Sequence, residues 1–141
     1  MSGAKAAIER AEAFCNTYDI RLPILMAPMA GACPAALAIA VGDAGGMGAC
    51  GALLMQPDAI TKWAADVRLK TNGAFQLNLW IPDPAPNRDL VQEIAIREFL
   101  AQWGPEVPAS AAETELADFD RQCDAMIDVG PTVLSSIMGL Y

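Results

Sequence analysis

Between Arg21 and Leu79 the chain alternates short apolar runs with helical patterns, and this rhythm limits its fold more than any other feature. It opens R-L-P-I-L-M-A-P-M-A-G, passes through A-L-A-I-A-V-G-D-A-G-G-M-G, and closes on F-Q-L-N-L. Two apolar runs are each followed by a helical pattern, and a third run follows the second helix. That order predicts parallel strands covered by helices, because consecutive parallel strands need a crossover between them. Folds of this kind place ligands beyond the carboxyl ends of their strands.

The spacing predicts a helix over 3–17, a buried strand over 24–27 and a loop over 27–33. A helix opened by Pro34 follows and is capped by Gly45 or Gly46. A second strand is expected over 47–51, then a helix from Asp58 to about Lys70, a turn at Thr71, Asn72 and Gly73, and a third strand over 75–79. The pattern then changes. Residues 81–89 form a Pro-rich loop, followed by a helix over 90–103 with Leu90, Ile94, Phe99 and Trp103 as expected core contacts. A second loop spans 104–110. A helix over 113–128, with Leu116, Phe119, Cys123, Met126 and Ile127 on its apolar side, leads to a fourth strand over 132–137. At 141 residues one domain is the default.

The net charge of −8 disfavours nucleic acid and anionic membrane surfaces, both of which reward clustered Lys and Arg. Residues 22–42 carry no charge, yet Pro23, Pro28, Gly31 and Pro34 break them, so buried strand, loop and helix is expected rather than a membrane span. Charges at Lys5, Glu9, Arg10 and Glu12 leave no signal-peptide core. The four cysteines form no C-x-x-C pair and the chain has no histidine, which excludes a Cys/His zinc site. Reduced thiols in a cytoplasmic protein are the expected state.

Several residues are placed where chemistry is possible. The run Gly45, Gly46, Met47, Gly48 follows a helix and precedes a strand, the reverse of a phosphate loop, so it reads as a helix cap and turn. The loop Ala27, Pro28, Met29, Ala30 and Gly31 has the productive order, strand before helix, and small side chains that let backbone approach a flat ligand. On the third strand, alternation puts Gln76 and Asn78 on one face, where they bond either to neighbouring backbone or to a ligand. Ser135 and Ser136 hold the equivalent place on the fourth strand, and one of them faces inward. Without histidine neither belongs to a Ser-His dyad. Most carboxylates fall on helix surfaces; Asp83 alone sits in a loop at the presumed active end. Trp63, Trp80 and Trp103 read as packing residues.

The segments P-I-L-M-A-P-M-A-G, A-L-A-I-A-V-G-D-A-G-G-M-G, F-Q-L-N-L-W-I-P and V-L-S-S-I-M-G-L, in that order, resemble the opening of the nitronate monooxygenase (2-nitropropane dioxygenase-like) family. The resemblance is close over 22–81 and looser over 132–140. It implies an α/β fold made of parallel βα units, the first half of a TIM (β/α)8 barrel stopping after about four strands. Such a barrel typically needs ~250 residues. The parts would be an N-terminal helix (1–20), the first three strands (21–81), a helical segment (82–131) and a fourth strand (132–141).

The resemblance further implies FMN as cofactor, with an alkyl nitronate and dioxygen as substrates. Ala27, Pro28 and Met29 would pack around the flavin ring, Asn78 would hydrogen-bond it or its neighbourhood, and Ser135 or Ser136 would face the pocket. The family's catalytic histidine and its phosphate-binding loops have no counterpart here, and neither Arg21 nor Lys62 is placed to replace the latter. The chain is therefore expected to be a catalytically incomplete N-terminal portion. Its exposed sheet edges invite a homo-oligomer. Two alternatives stay open: another flavin barrel, such as an enoyl reductase or a dehydrogenase of the inosine-monophosphate type, and a non-catalytic half-barrel interaction module.

Overall fold

The structure, a computed structural model, describes residues 2–71, 73–84, 87–113 and 117–140. Asn72 of the expected turn, Ala85 and Pro86 of the Pro-rich loop, Leu116 of the last expected helix, and Tyr141 lie outside them. The chain separates into two compact units, one formed by Met1–Ile81 with Ala117–Tyr141, the other by Pro82–Leu116.

The larger unit is built on a sheet of three parallel strands in the order β1-β2-β3: β1 (Gly48–Gly51), β2 (Phe75–Trp80) and β3 (Val133–Ile137). Helices α1 (Ser2–Tyr18), α2 (Ala35–Ala44), α3 (Pro57–Arg68) and α5 (Phe119–Asp128) belong to the same unit. The register aligns Gly51 with Asn78 and Asn78 with Ser135. Leu77 and Leu79 project to the other face, where they are almost wholly buried with Ile60 and Val67 of α3 and Met126 of α5. Each such side chain contributes about 1.5–3 kcal/mol of burial.

The expected first strand over 24–27 is reduced to two isolated parallel bridges, Leu25 to Met47 and Ala30 to Gly51. Proline explains the difference. The Met26 N–H donates to the Met47 carbonyl at 2.9 Å, and the Met47 N–H donates to the Ile24 carbonyl at 2.9 Å. Residues two apart face the same neighbour, so the next donor is position 28, and Pro28 has no N–H. The ladder stops there and resumes at Ala30. The sheet therefore has four parallel segments side by side, of which three are strands.

Helix α2 ends as the glycines predicted. Gly45 is its C-cap at φ +99, and the Gly46 N–H donates to the Val41 carbonyl at 3.0 Å. Pro34 stands at the N-cap, one position before the expected first turn. Helix α3 carries Pro57 at its start, Asp58 in its first turn and Arg68 in its last, a charge order that suits the helix dipole. The Arg68 guanidinium lies 5.1 Å from the centre of the Phe75 ring and donates to the carbonyls of Val129 and Gly130.

The second unit holds α4 (Leu90–Leu100) and a short 3₁₀ helix, Ala109–Glu113. The Asp89 carboxylate caps α4 by accepting from the N–H groups of Val91 and Gln92, and Arg88 forks onto Glu93 at 2.7 and 2.5 Å. That pairing holds the Glu93 carboxyl below its ordinary range. Leu90, Ile94, Phe99 and Trp103 are exposed, not core contacts; Trp103 is 77% accessible. The apolar residues of α4 lie at 90, 91, 94, 96, 99 and 100, which spreads them beyond one stripe. The helix expected over 113–128 begins only at Phe119, where Asp118 caps it by accepting from the Arg121 N–H. No helix among the described residues is long and apolar enough to cross a membrane.

Candidate functional site

The loop between Ala27 and Cys33 is folded by its own atoms. The Met29 N–H donates to the Cys33 Sγ at 3.1 Å, the Cys33 thiol lies 3.6 Å from the Ala27 carbonyl, and the Ala32 N–H returns to the Met29 carbonyl at 3.1 Å. The buried Trp63 of α3 donates its Nε1–H to the Cys33 carbonyl at 2.9 Å and packs edge-on against Phe75. The loop is thereby tied to the helix layer, while Met29 stays 44% exposed.

Gly51 makes the next connection. A β-carbon there would lie 2.6 Å from the Ala30 nitrogen and 2.9 Å from the Met29 carbonyl carbon. Only glycine lets the 29–30 segment lie this close to the end of β1. Gly51 aligns with Asn78, and the Ala52 N–H donates to the Asn78 carbonyl at 2.8 Å. The Asn78 Nδ2 donates to Ser135 Oγ at 3.0 Å. Met29 and Ala30, Gly51, Asn78 and Ser135 therefore form one row across four adjacent parallel segments.

The two serines are now distinguishable. Ser135 shares the face of Asn78, whereas Ser136 faces the other way and donates to the Gly139 carbonyl at 2.6 Å. Gln76, one layer below Asn78 on the same face, is buried and donates to the Met26 carbonyl at 2.9 Å, so it bonds to backbone. Arg21 donates to the Asp43 carbonyl at 2.8 Å, and Lys62 pairs with Asp66 at 2.8 Å. Both cations are engaged away from the row. Trp80 ends β2 on the face of Asn78 and is exposed, unlike the packed Trp63. Asp83 is an exposed residue of the second unit.

Sequence reading missed Gln122. It is a buried side chain on α5 whose Nε2 reaches the carbonyls of Ala52 at 3.1 Å, Leu53 at 3.3 Å and Met55 at 2.7 Å. It holds the loop that leaves β1 at the end where the row lies. A signal existed: Gln122 falls between Phe119 and Met126 at helical spacing, on the apolar side of α5.

The four cysteines are free thiols. Burial, and then the neighbouring Cys33, push the Cys50 thiol up from 9.0 to about 12. Its folded value lies above its unfolded one, so its stabilising contribution is complete below pH 9 and is lost as pH rises toward about 12. Iodoacetamide below pH 9 is expected to leave Cys50 unmodified in the folded chain and to alkylate it once urea unfolds the protein. Mass mapping checks this, and a modified Cys50 in the folded chain would contradict its burial.

Residues 12–140 match the family model for nitronate monooxygenase. The chain is 41% identical over 125 residues to the nitronate monooxygenase of Paraburkholderia phytofirmans, a match covering 84% of this chain and 34% of that protein. It thus spans about a third of the length of this curated relative. Among solved structures it is similar to nitroalkane oxidase from Streptomyces ansochromogenes, at 29% identity and a TM-score of 0.66, over 89% of this chain and 36% of that one. A shorter stretch, 51% of this chain and 23% of the other, is similar to FabK from Thermotoga maritima at 38% identity and a TM-score of 0.48.

Proposed function

The chain belongs to the nitronate monooxygenase family, and from that premise we propose that it forms the flavin-ring side of an FMN-dependent (β/α)8 barrel that oxidises alkyl nitronates with dioxygen. The observation that carries this reading is the row of Met29, Gly51, Asn78 and Ser135 at one level of a parallel sheet. The row lies at the last residue of β1 and two residues before the ends of β2 and β3, on the side toward the carboxyl ends, beyond which α/β folds bind their ligands.

The row suits a flat ring. Gly51 keeps the surface low where the 29–30 backbone meets β1. Ala27, Pro28 and Met29 offer small or adaptable contacts to a ring face. Asn78 spends its Nδ2 on Ser135 and presents Oδ1 as an acceptor for an N–H on a ring edge. The phosphate end is different, since Arg21 and Lys62 are both engaged elsewhere. This chain is therefore assigned the ring and not the phosphate.

When bound, FMN would supply the electron acceptor for the nitronate, with dioxygen as the terminal oxidant. The chain has no histidine and so brings no imidazole base. A nitronate arrives already deprotonated at carbon and asks for none, whereas a neutral nitroalkane does.

Flavin fluorescence on titrating FMN into the purified chain reads the ring contact. Saturable quenching is expected, and Asn78→Ala should raise the dissociation constant about tenfold, the worth of one hydrogen bond of ~1.4 kcal/mol. Absence of saturable binding by the unmodified chain overturns the ring-side assignment. Anaerobic propionate 3-nitronate is expected to bleach the bound flavin while the neutral nitro compound does not; flavin that stays yellow with both would remove the nitronate from the proposal.

A further inference from the structure

We infer that Cys33 is the positioning residue of the ring-facing loop: its buried thiol grips the backbone on either side of Pro28 and holds Pro28 and Met29 where a flat ring meets them. The inference rests on the flavin reading for what the loop meets, and goes beyond it by naming the side chain that sets the loop's shape.

The sheet cannot hold this stretch by itself. The 24–30 segment is joined to β1 before Pro28, where the Met26 N–H donates to the Met47 carbonyl at 2.9 Å, and after it, where Ala30 bridges to Gly51. Between those two points Pro28 offers no N–H. The Met29 N–H instead donates to the Cys33 Sγ at 3.1 Å, and the Cys33 thiol faces the Ala27 carbonyl at 3.6 Å. One sulfur thus meets the backbone on both sides of the proline, as acceptor to one group and donor to the other. The long carbon–sulfur bond lets a single atom reach both.

The sulfur is itself held in place. The Cys33 carbonyl accepts the Nε1–H of the buried Trp63 at 2.9 Å, and the Trp63 ring lies edge-on to Phe75 with centroids 5.5 Å apart. Pro34 follows at the N-cap of α2, which restricts the Cys33 backbone as well. Cys33 is therefore fixed to the helix layer and passes that fixity to the loop. At 6% exposure it cannot touch a ring itself, whereas Met29 is 44% exposed. It acts through Pro28 and Met29.

A loop already held in its binding shape costs less to order when a ligand arrives. Without the sulfur, the Met29 N–H loses its acceptor and turns to water. The loop then occupies its binding shape only part of the time, and the apparent affinity falls by that fraction.

Three variants separate the hydrogen bonds from the volume. Cys33→Ala removes both, Cys33→Val fills the space with no polar atom, and Cys33→Ser keeps a donor and an acceptor on a shorter arm. Fluorescence titration with FMN should give a dissociation constant about tenfold higher for Cys33→Ala and Cys33→Val, the mark of a loop that is competent about a tenth of the time. Cys33→Ser should lie within about threefold of the unmodified chain, its loop being competent about a third of the time or more. The absorption spectrum of the bound flavin at saturation should be the same in all four, because the ring meets the same atoms once the loop has closed.

Stability should run the other way. Cys33→Val should melt above Cys33→Ser, since a buried hydroxyl costs more than a buried methyl. A residue that only filled the core would make affinity follow stability. Amide hydrogen exchange of the flavin-free chain reads the clamp directly: the Met29 N–H should be protected in the unmodified chain and in Cys33→Ser, and exchange faster in Cys33→Ala and Cys33→Val. An unprotected Met29 N–H in the unmodified chain, a Cys33→Val that binds FMN as tightly as Cys33→Ser, or equal dissociation constants throughout would each overturn the inference, and FMN binding by the unmodified chain would leave the ring-side reading standing. No FMN binding by the unmodified chain overturns the ring-side reading and the inference with it.

Discussion

Replacing Gly51 by alanine is expected to destabilise the chain by about 2–3 kcal/mol, the upper part of the ~1–3 kcal/mol range for forcing an atom into a filled site. The added carbon would stand 2.6 Å from the Ala30 nitrogen and 2.9 Å from the Met29 carbonyl carbon. Both are backbone, so no side chain can swing aside. The 29–30 segment must lift from β1, or β1 must shift against β2, where the Ala52 N–H holds the Asn78 carbonyl at 2.8 Å. Against a typical domain stability of 5–15 kcal/mol this is a large fraction. Urea unfolding reads it as a lower midpoint at unchanged slope. Gly3→Ala is the control, since nothing lies within 4 Å of a carbon added there and the residue is helical. It should be neutral or mildly stabilising. Equal midpoints for Gly51→Ala and the unmodified chain would mean that the close approach does not hold the loop.

The second large effect is expected at Gln122. Its amide reaches three carbonyls of the loop after β1, the shortest at 2.7 Å from Met55. Gln122→Leu keeps the volume and removes the donor; the Ala52 carbonyl retains the Met55 N–H at 2.9 Å and Leu53 is exposed, so the Met55 carbonyl bears the main loss, at ~1–3 kcal/mol. A total loss of about 1–3 kcal/mol is expected. Gln122→Glu sharpens the test through pH. A carboxylate facing three carbonyl oxygens is disfavoured as the anion, so its folded pKa rises above the unfolded value. The variant should be most stable below the ordinary Glu range and lose stability as pH rises through it. Stability of Gln122→Glu that does not vary with pH would show that the side chain faces water and that another contact holds the loop.

Much of the α/β order was legible in the sequence. Gly45 caps α2, Asp58 opens α3, and the alternation in Gln76, Leu77, Asn78 and Leu79 sends leucines to the helices and amides to the other face. These are local rules of turn chemistry and period, readable within a few residues. The errors have local causes too. The ladder lost at Pro28 follows from its missing N–H; the helix expected over 90–103 forms over Leu90–Leu100, but its expected core contacts are exposed because its apolar residues make no single stripe. The place of Gln122 on the apolar side of α5 signalled its burial, but which groups it bonds depends on the carbonyls opposite it.

The sequence by itself determined the succession of parallel segments, the small residues between Ala27 and Gly31, and the polar positions at Asn78 and Ser135, because strand period and proline and glycine conformation are short-range properties. Only the tertiary structure decided that Gly51 sits beneath Ala30, that Asn78 bonds Ser135 rather than Ser136, and that Gln122 holds the loop after β1. Those facts depend on register between segments 20 to 70 residues apart, and register is set by how whole faces pack.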